Sequence, residues 1–392
     1  MVTKVIHAVT VSQSLDLMRG QLDFLSKQGY EVKALCSEGA NIEIVEKREG
    51  IKVLTVNMER KISLLKDFRS LMSCIRTIRK EHPQIVNAGT PKAGLIVNLA
   101  AFICRVPVRI YNVLGLRMET TSGIKRKILL YAEKTAAGAA THLLAVSPSL
   151  KDQLVSLGIA DKEKITILGK GSVNGFNLKH FEMTDEMQKE IDKKKLEFGL
   201  MEHHVVLGFV GRMTKDKGIE EMVESFVQLN KKYPQLRLLI VGDYDSSDSV
   251  DEETQKEIGN NPRIIHAGFQ DDPIPFYHMM DIFVFLTKRE GFGNVSAEAA
   301  LAGMPVIAAN VTGARDTIIN GKTGFLVNPS NIADVVAKVE QLVFDCELRL
   351  QMGLNGKAWA QENFSNDSIW QEMDSYYQKL LTQRAGTLEE IR

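Results

Sequence analysis

Residues 290–308 read E-G-F-G-N-V-S-A-E-A-A-L-A-G-M-P-V-I-A. A Gly-rich turn (Gly291, Gly293) leads into a helix-forming run over 295–302, a Gly-Met-Pro stop and an apolar strand over 306–309. Turn, helix, stop and short apolar strand at this spacing make one crossover of a parallel α/β sheet. The helix start leaves the N–H groups of Gly293, Asn294 and Val295 pointing outward, and an anion is favoured there. Two carboxylates bracket that point. Glu298 lies one turn into the helix, where it can accept two vicinal hydroxyls. Glu290 stands before the turn and can grip a second hydroxylated group. Diol, anion and diol together are the layout of a nucleoside diphosphate sugar.

The alternation continues outward from this stretch. Strands are predicted at 204–211, 236–241, 264–267, 282–286 and 324–327, with helices at 219–233, 273–280 and 332–345; a charged helix at 185–198 precedes them. An earlier series has strands at 4–11, 32–36, 52–56, 85–87, 108–113 and 142–146, with helices at 19–28, 64–81, 93–104, 125–138 and 148–157. Turn-rich residues 169–175 separate the two series. The reading is α/β, with two Rossmann-like domains facing each other across a cleft. The boundaries are 1–170 for the first domain and 171–364 for the second. The last helix, within 365–392, is expected to cross back to the amino-terminal domain.

At 392 residues the chain is too long for one compact core. Cys36, Cys74, Cys104 and Cys346 are far apart and form no C-x-x-C, which argues against a disulfide framework or a structural zinc site. The amino terminus runs straight into a strand, with no pattern of a secretory leader. The longest apolar runs fall well short of the ~20 residues that span a bilayer. A cytoplasmic protein is expected, with the inner face of the cell membrane as its candidate station. Charge is balanced overall but not along the chain. Residues 1–170 hold 26 Lys+Arg against 15 Asp+Glu, and residues 171–392 hold 23 against 34. The positive half includes Arg60, Lys61, Lys66, Arg69, Arg76, Arg79 and Lys80, and the run Lys125-Arg126-Lys127. Such patches fit an anionic lipid surface, and the alternative is a solvated helix face. Aromatic residues do not interleave with them, which argues against nucleic acid.

A second anion-binding feature closes strand 204–211, in V-G-R-M-T-K-D-K-G. Gly211 lets backbone approach a ligand, while Arg212 and Lys217 put a planar fork and a point charge before a helix start. The alternative is a solvated turn. Asp243-Tyr244-Asp245 matches a metal-binding D-x-D pattern, but two carboxylates alone are a weak magnesium site. No metal and no cofactor are expected, the donor itself being the substrate. No G-x-G-x-x-G follows the first strand, so a dinucleotide-dependent dehydrogenase lacks its fingerprint.

These motifs together resemble the retaining glycosyltransferases of family 4, with the fold called GT-B. The resemblance rests on Glu, seven residues, Glu (Glu290, Glu298), on V-G-R with a downstream Lys (Arg212, Lys217), on His266-Ala267-Gly268-Phe269, and on Asn320-Gly321-x-x-Gly324-Phe325. It implies that Arg212 and Lys217 bind the donor diphosphate, that Glu298 holds the ribose and that Glu290 contacts the donor sugar. Arg212, Lys217 and Glu290 are thereby the catalytic candidates. Gly211, Gly268, Phe269, Gly293, Asn294 and Val295 complete the donor-binding set. The amino half resembles a subgroup from capsule and exopolysaccharide pathways, on Thr90-Pro91-Lys92-Ala93-Gly94 and Tyr111–Arg117. Many relatives carry a His where Leu114 stands, and a Gly-Gly turn where this chain has Ser12-Gln13-Ser14. Ser14, Thr90, Lys92 and Arg117 are the acceptor-facing candidates. The implied activity is transfer of a hexose or N-acetylhexosamine from a UDP-sugar to a lipid-linked glycan, such as one carried on a polyprenyl diphosphate. A sugar-nucleotide epimerase and a non-catalytic binder are the alternatives.

Overall fold

The computed structural model describes residues 2–59 and 63–390, so Arg60 and Lys61 of the basic region lie outside the described residues. Two compact units form: Met1–Gly175 with Asn366–Arg392, and Phe176–Ser365. In the first, strands β1 (Lys4–Ala8), β2 (Glu31–Cys36), β3 (Lys52–Thr55), β4 (Ile85–Gly89), β5 (Val108–Val113), β6 (His142–Ala145) and β7 (Ile165–Thr166) make one sheet in the order β3-β2-β1-β4-β5-β6-β7. In the second, β8 (Val205–Val210), β9 (Leu236–Val241), β10 (Ile264–His266), β11 (Ile282–Phe285), β12 (Val306–Ala309) and β13 (Gly324–Val327) are ordered β10-β9-β8-β11-β12-β13. All pairings within both sheets are parallel. Both halves are therefore Rossmann-like, as the sequence predicts.

Helices cover both faces of each sheet, so central strands need apolar residues on both sides. β11 and β12 are buried along their whole length. On β1, Val5 joins one core cluster while Ile6 and Ala8 join the cluster on the opposite face, which is the two-residue period of a strand. The carboxyl-terminal helix, Asn366–Glu390, adds Ile369, Met373, Tyr376, Tyr377 and Leu380 to the Val5 side. Its Trp370 indole donates to Asn174 (2.7 Å), and Tyr30 donates to Asp374 (2.8 Å).

The structure differs from the sequence reading in three places. The first strand stops at Ala8, because the Thr10 N–H turns to the Thr90 hydroxyl (3.1 Å) and a 3-10 helix, Ser12–Met18, follows. The helix predicted over 273–280 shrinks to Ile274–Tyr277. Helices Ile42–Glu49, Glu252–Asn260 and Cys346–Asn363 escaped the periodicity reading; the second buries only Ile258 and so has almost no apolar stripe.

The amino-terminal unit also buries two polar groups with opposite leanings. His7 on β1 faces the Tyr377 hydroxyl (3.0 Å), which takes a hydrogen bond from Asn87 of β4 (2.8 Å). Burial pushes the His7 imidazole down to about 4. Glu133 accepts from the Tyr111 hydroxyl (2.7 Å), and burial pushes its carboxyl up to about 7 despite that bond. Between pH 4.5 and 6.5 the folded chain leaves His7 neutral while the unfolded chain protonates it, so this group makes stability rise with pH. Over the same window Glu133 stays protonated when folded and ionises when unfolded, so it makes stability fall. The two slopes oppose. Glu133→Gln removes one of them, and its stability relative to the parent should gain about 1.4 kcal/mol per pH unit between pH 4.5 and 6.5. Urea midpoints of both proteins across that range check this; parallel pH profiles would refute it.

Candidate active site

In a parallel sheet every strand delivers its following loop to the same edge, and ligands bind where the strand order reverses. In the second sheet that point lies between β8 and β11. β8 continues into Gly211 and Arg212, and β11 leads to Glu290 and the turn before helix Asn294–Leu301. Gly218 fixes how closely the two loops approach. It sits at φ 73°, and a Cβ there would lie 2.2 Å from the Leu286 carbonyl oxygen. The close passage brings the Lys217 ammonium into an ion pair with Glu290, both largely buried. The Thr287 hydroxyl donates to the Arg289 carbonyl (3.0 Å), and Asp216 holds the Arg289 guanidinium (2.9 Å).

Arg212 is more open. Its side chain is 66% exposed and its guanidinium pairs with Asp245 at 2.5 Å. The neighbouring Asp243 accepts the Phe269 N–H (3.1 Å), while the Gly268 carbonyl accepts from Gly242 (2.8 Å). Both aspartates of the D-x-D pattern thus serve backbone and side-chain donors around the β9 and β10 ends. Phe269 presents an exposed ring, and His266 bonds the Gly242 carbonyl through Nε2 (2.8 Å).

On the other side of the reversal, helix Asn294–Leu301 starts at Gly293, which supplies no side-chain cap. Among the described residues, the buried Asn294 Oδ1 has no hydrogen-bond partner. An unpaired buried polar atom at a helix start is costly unless a ligand completes it. Gly313 of the following loop packs against this turn; a Cβ there would meet the Gly291 carbonyl at 2.6 Å. Glu298 accepts from the fully buried Tyr277 hydroxyl (2.7 Å). Burial raises its carboxyl above the ordinary value, the Tyr277 bond opposes this, and Asp272 adds to it.

The donor-side residues singled out from the sequence therefore gather at the loop edge of one sheet. Sequence reasoning missed their partners Asp245, Tyr277, Thr287 and Asp216. Asp245 carried a signal, the D-x-D spacing, and in the structure it pairs with Arg212. Tyr277 carried none.

Of the acceptor-side candidates, Ser14, Thr90 and Lys92 lie at the reversal of the first sheet, between β1 and β4, while Arg117 follows β5. The Thr90 and Thr10 hydroxyls share a hydrogen bond (2.7 Å), with Thr90 at φ 65°, rare for a β-branched residue. The Lys92 ammonium contacts both Asp67 oxygens at 2.7 Å. Ser14 is half-buried in the turn after β1, and Arg117 is exposed.

Residues 18–171 match the family profile described as a glycosyl transferase 4-like domain, and residues 188–359 match that of glycosyl transferases group 1. The chain is 41% identical to the capsular polysaccharide biosynthesis glycosyltransferase CapM of Staphylococcus aureus over 383 residues, 98% of this chain and 99% of that one. It is 24% identical to the UDP-Gal:alpha-D-GlcNAc-diphosphoundecaprenol alpha-1,3-galactosyltransferase of Escherichia coli, over 84% of each chain. Among solved structures, Anabaena HepE in complex with UDP and glucose superposes with a TM-score of 0.79 at 20% identity, covering 96% of this chain and 100% of that one.

The close loop passage gives a direct test. Gly218→Ala combines a left-handed conformation with a backbone clash and should destabilise by roughly 3 kcal/mol or more. Gly321→Ala, at φ 76° with nothing near its Cβ position, should lose only about 1–2 kcal/mol. Equal losses in denaturant titrations would mean that contact between the two loops does not matter.

Proposed function

The chain belongs to the family 4 glycosyltransferases and acts in polysaccharide synthesis, and from that premise we propose that it moves a hexose or N-acetylhexosamine from a UDP-sugar to a lipid-linked glycan. The observation that carries the donor half is the Lys217–Glu290 pair standing beside an uncapped helix start. The E. coli relative's name specifies a UDP-galactose donor and a diphosphoundecaprenol-linked acceptor, and HepE is described with UDP and glucose; both favour this substrate class.

Cleavage of the sugar–phosphate bond builds negative charge on the departing diphosphate. Arg212, Lys217 and the N–H groups of Asn294 and Val295 are fixed donors for that charge, each such donor being worth roughly 3–4 kcal/mol in a transition state. Glu298 takes the ribose hydroxyls and Glu290 the sugar. The departing phosphate oxygen accepts the proton of the acceptor hydroxyl, and the sugar keeps its anomeric configuration. The cations and the helix start replace a metal ion in this scheme. Gly211, Gly268 and Phe269 shape the backbone around the base.

Support for contact with an anionic bilayer comes from the amino-terminal unit. Helices Leu64–Glu81 and Gly123–Ala139 flank helix Pro91–Ile103 on one sheet face. Leu64, Leu65 and Phe68 on the first, and Ile124, Ile128 and Tyr131 on the second, are exposed beside Arg69, Arg76, Lys125, Arg126 and Lys127. Apolar and cationic side chains mixed on exposed helices suit a lipid interface. Among the described residues, no helix is long and apolar enough to cross a membrane. The proposed place of action is the cytoplasmic face.

A panel of UDP-sugars tests the donor. The parent should release UDP slowly without acceptor from one preferred sugar, with chelator present, and Arg212→Ala or Glu298→Ala should lower this at least 100-fold. Full activity in both variants would remove the site, and an epimerised sugar would turn the reading to an epimerase. For the membrane, replacing Lys125, Arg126 and Lys127 by Gln should weaken binding to phosphatidylserine vesicles about 100-fold at low salt. Unchanged vesicle binding, in the variant and in high salt, would separate the enzyme from the bilayer.

A further inference from the structure

Every cation in the segment between β8 and its following helix already has a carboxylate. Lys215 pairs with Glu220 (3.5 Å), Lys217 with Glu290, and Arg212 with Asp245 (2.5 Å). The three carboxylates differ in what a donor leaves them to do. Glu290 faces the donor sugar in the proposed complex, and Glu220 lies within the next helix, accepting the Asp251 N–H as well (2.9 Å). Asp245 sits on the Arg212 guanidinium that the diphosphate needs.

The Asp245 backbone cannot simply drift away. Its N–H reaches the Met213 carbonyl (3.3 Å), Met213 in turn donates to the Asp243 carbonyl (2.8 Å), and Asp248 donates to the Asp245 carbonyl (3.3 Å). Two rungs thus strap the loop after β9 to the loop after β8. The Asp248 side chain adds a third tie by accepting the Asp216 N–H (2.8 Å). A carboxylate held this way stays close to the site after a diphosphate arrives, and like charges a few ångströms apart repel.

We infer that Asp245 is an internal counterion that competes with the donor diphosphate for Arg212, a positioning residue that sets donor affinity and its salt dependence. It keeps the site neutral between turnovers and favours release of UDP. This rests on the donor site proposed above. A diphosphate arriving at Arg212 exchanges one carboxylate for another anion, so the net gain from that cation is smaller than its charge suggests.

Calorimetric titration of the full chain with UDP tests this. Asp245→Asn should bind UDP about fivefold more tightly at low ionic strength, with the gain shrinking in high salt. Asp245→Glu, which restores the anion, should behave like the parent. Combining Asp245→Asn with Arg212→Ala should reduce the gain, since the competed cation is gone. Unchanged or weaker UDP binding in Asp245→Asn, with Arg212→Ala still weakening it, would overturn the counterion role alone. If Arg212→Ala itself leaves UDP affinity unchanged, the donor site falls instead. Thermal melts of all four variants matching the parent exclude a general loss of folding.

Discussion

The site depends on one constraint, the close passage of the loop after β8 beneath the end of β11. Gly218 has no side chain to hold the two apart, so the Lys217 ammonium reaches the Glu290 carboxylate across the reversal of strand order. The connections from β8 and β11 diverge to opposite sides of the sheet, toward β9 and β12. Diverging loops open a crevice, and the ion pair sets its width. A largely buried pair holds geometry because breaking it leaves a charge without compensation. The same position suits a ligand that carries both an anion and hydroxyls.

Electrostatics and sterics then divide the work. The exposed Arg212 and the more sheltered Lys217 provide positive charge on one side. On the other, the N–H groups of a helix start provide it without a side chain, where Gly313 and Gly291 touch backbone to backbone. Backbone dipoles cannot move away or be neutralised by rotation, so they stabilise charge that appears during reaction without reorganising. Glu298 is held differently. Tyr277, buried completely, points its hydroxyl at the carboxylate and fixes the rotamer that a ribose would meet.

Much of this was legible in the sequence because the features are local. Gly-rich turn, helix start and paired carboxylates fall within 290–308, and V-G-R with its downstream Lys within eight residues, 210–217. Strand–helix alternation likewise needs only local apolar periods. What stayed hidden depends on pairing between distant segments. Asp245 meets Arg212 across 33 residues and Tyr277 meets Glu298 across 21, and no spacing rule connects them. The early end of the first strand has the same origin, since the partner that draws Thr10 out of the sheet, Thr90, is 80 residues away. Helix Glu252–Asn260 escaped because its turns rest on caps such as the Asp251 carboxylate on the Thr254 N–H (2.7 Å), not on an apolar stripe.

One fold used twice raises the question of why only one half is proposed to hold the phosphates. The answer lies in what occupies each helix start. In the amino-terminal unit, helix Gln21–Lys27 begins at Gly20, whose N–H lies 3.0 Å from both oxygens of the buried Glu49, a carboxylate balanced by Arg48 (2.7 Å). Helix Pro91–Ile103 begins with a proline, which has no N–H, and its Ala93 N–H goes to the Thr10 hydroxyl (3.2 Å). Both positions where an anion would bind are filled from within. Among the described residues, no side chain caps the start of helix Asn294–Leu301. A diphosphate entering the first sheet would have to displace a buried carboxylate and strand Arg48. At the second it meets a helix start without a side-chain cap, and the physical preference for the second half follows from that difference.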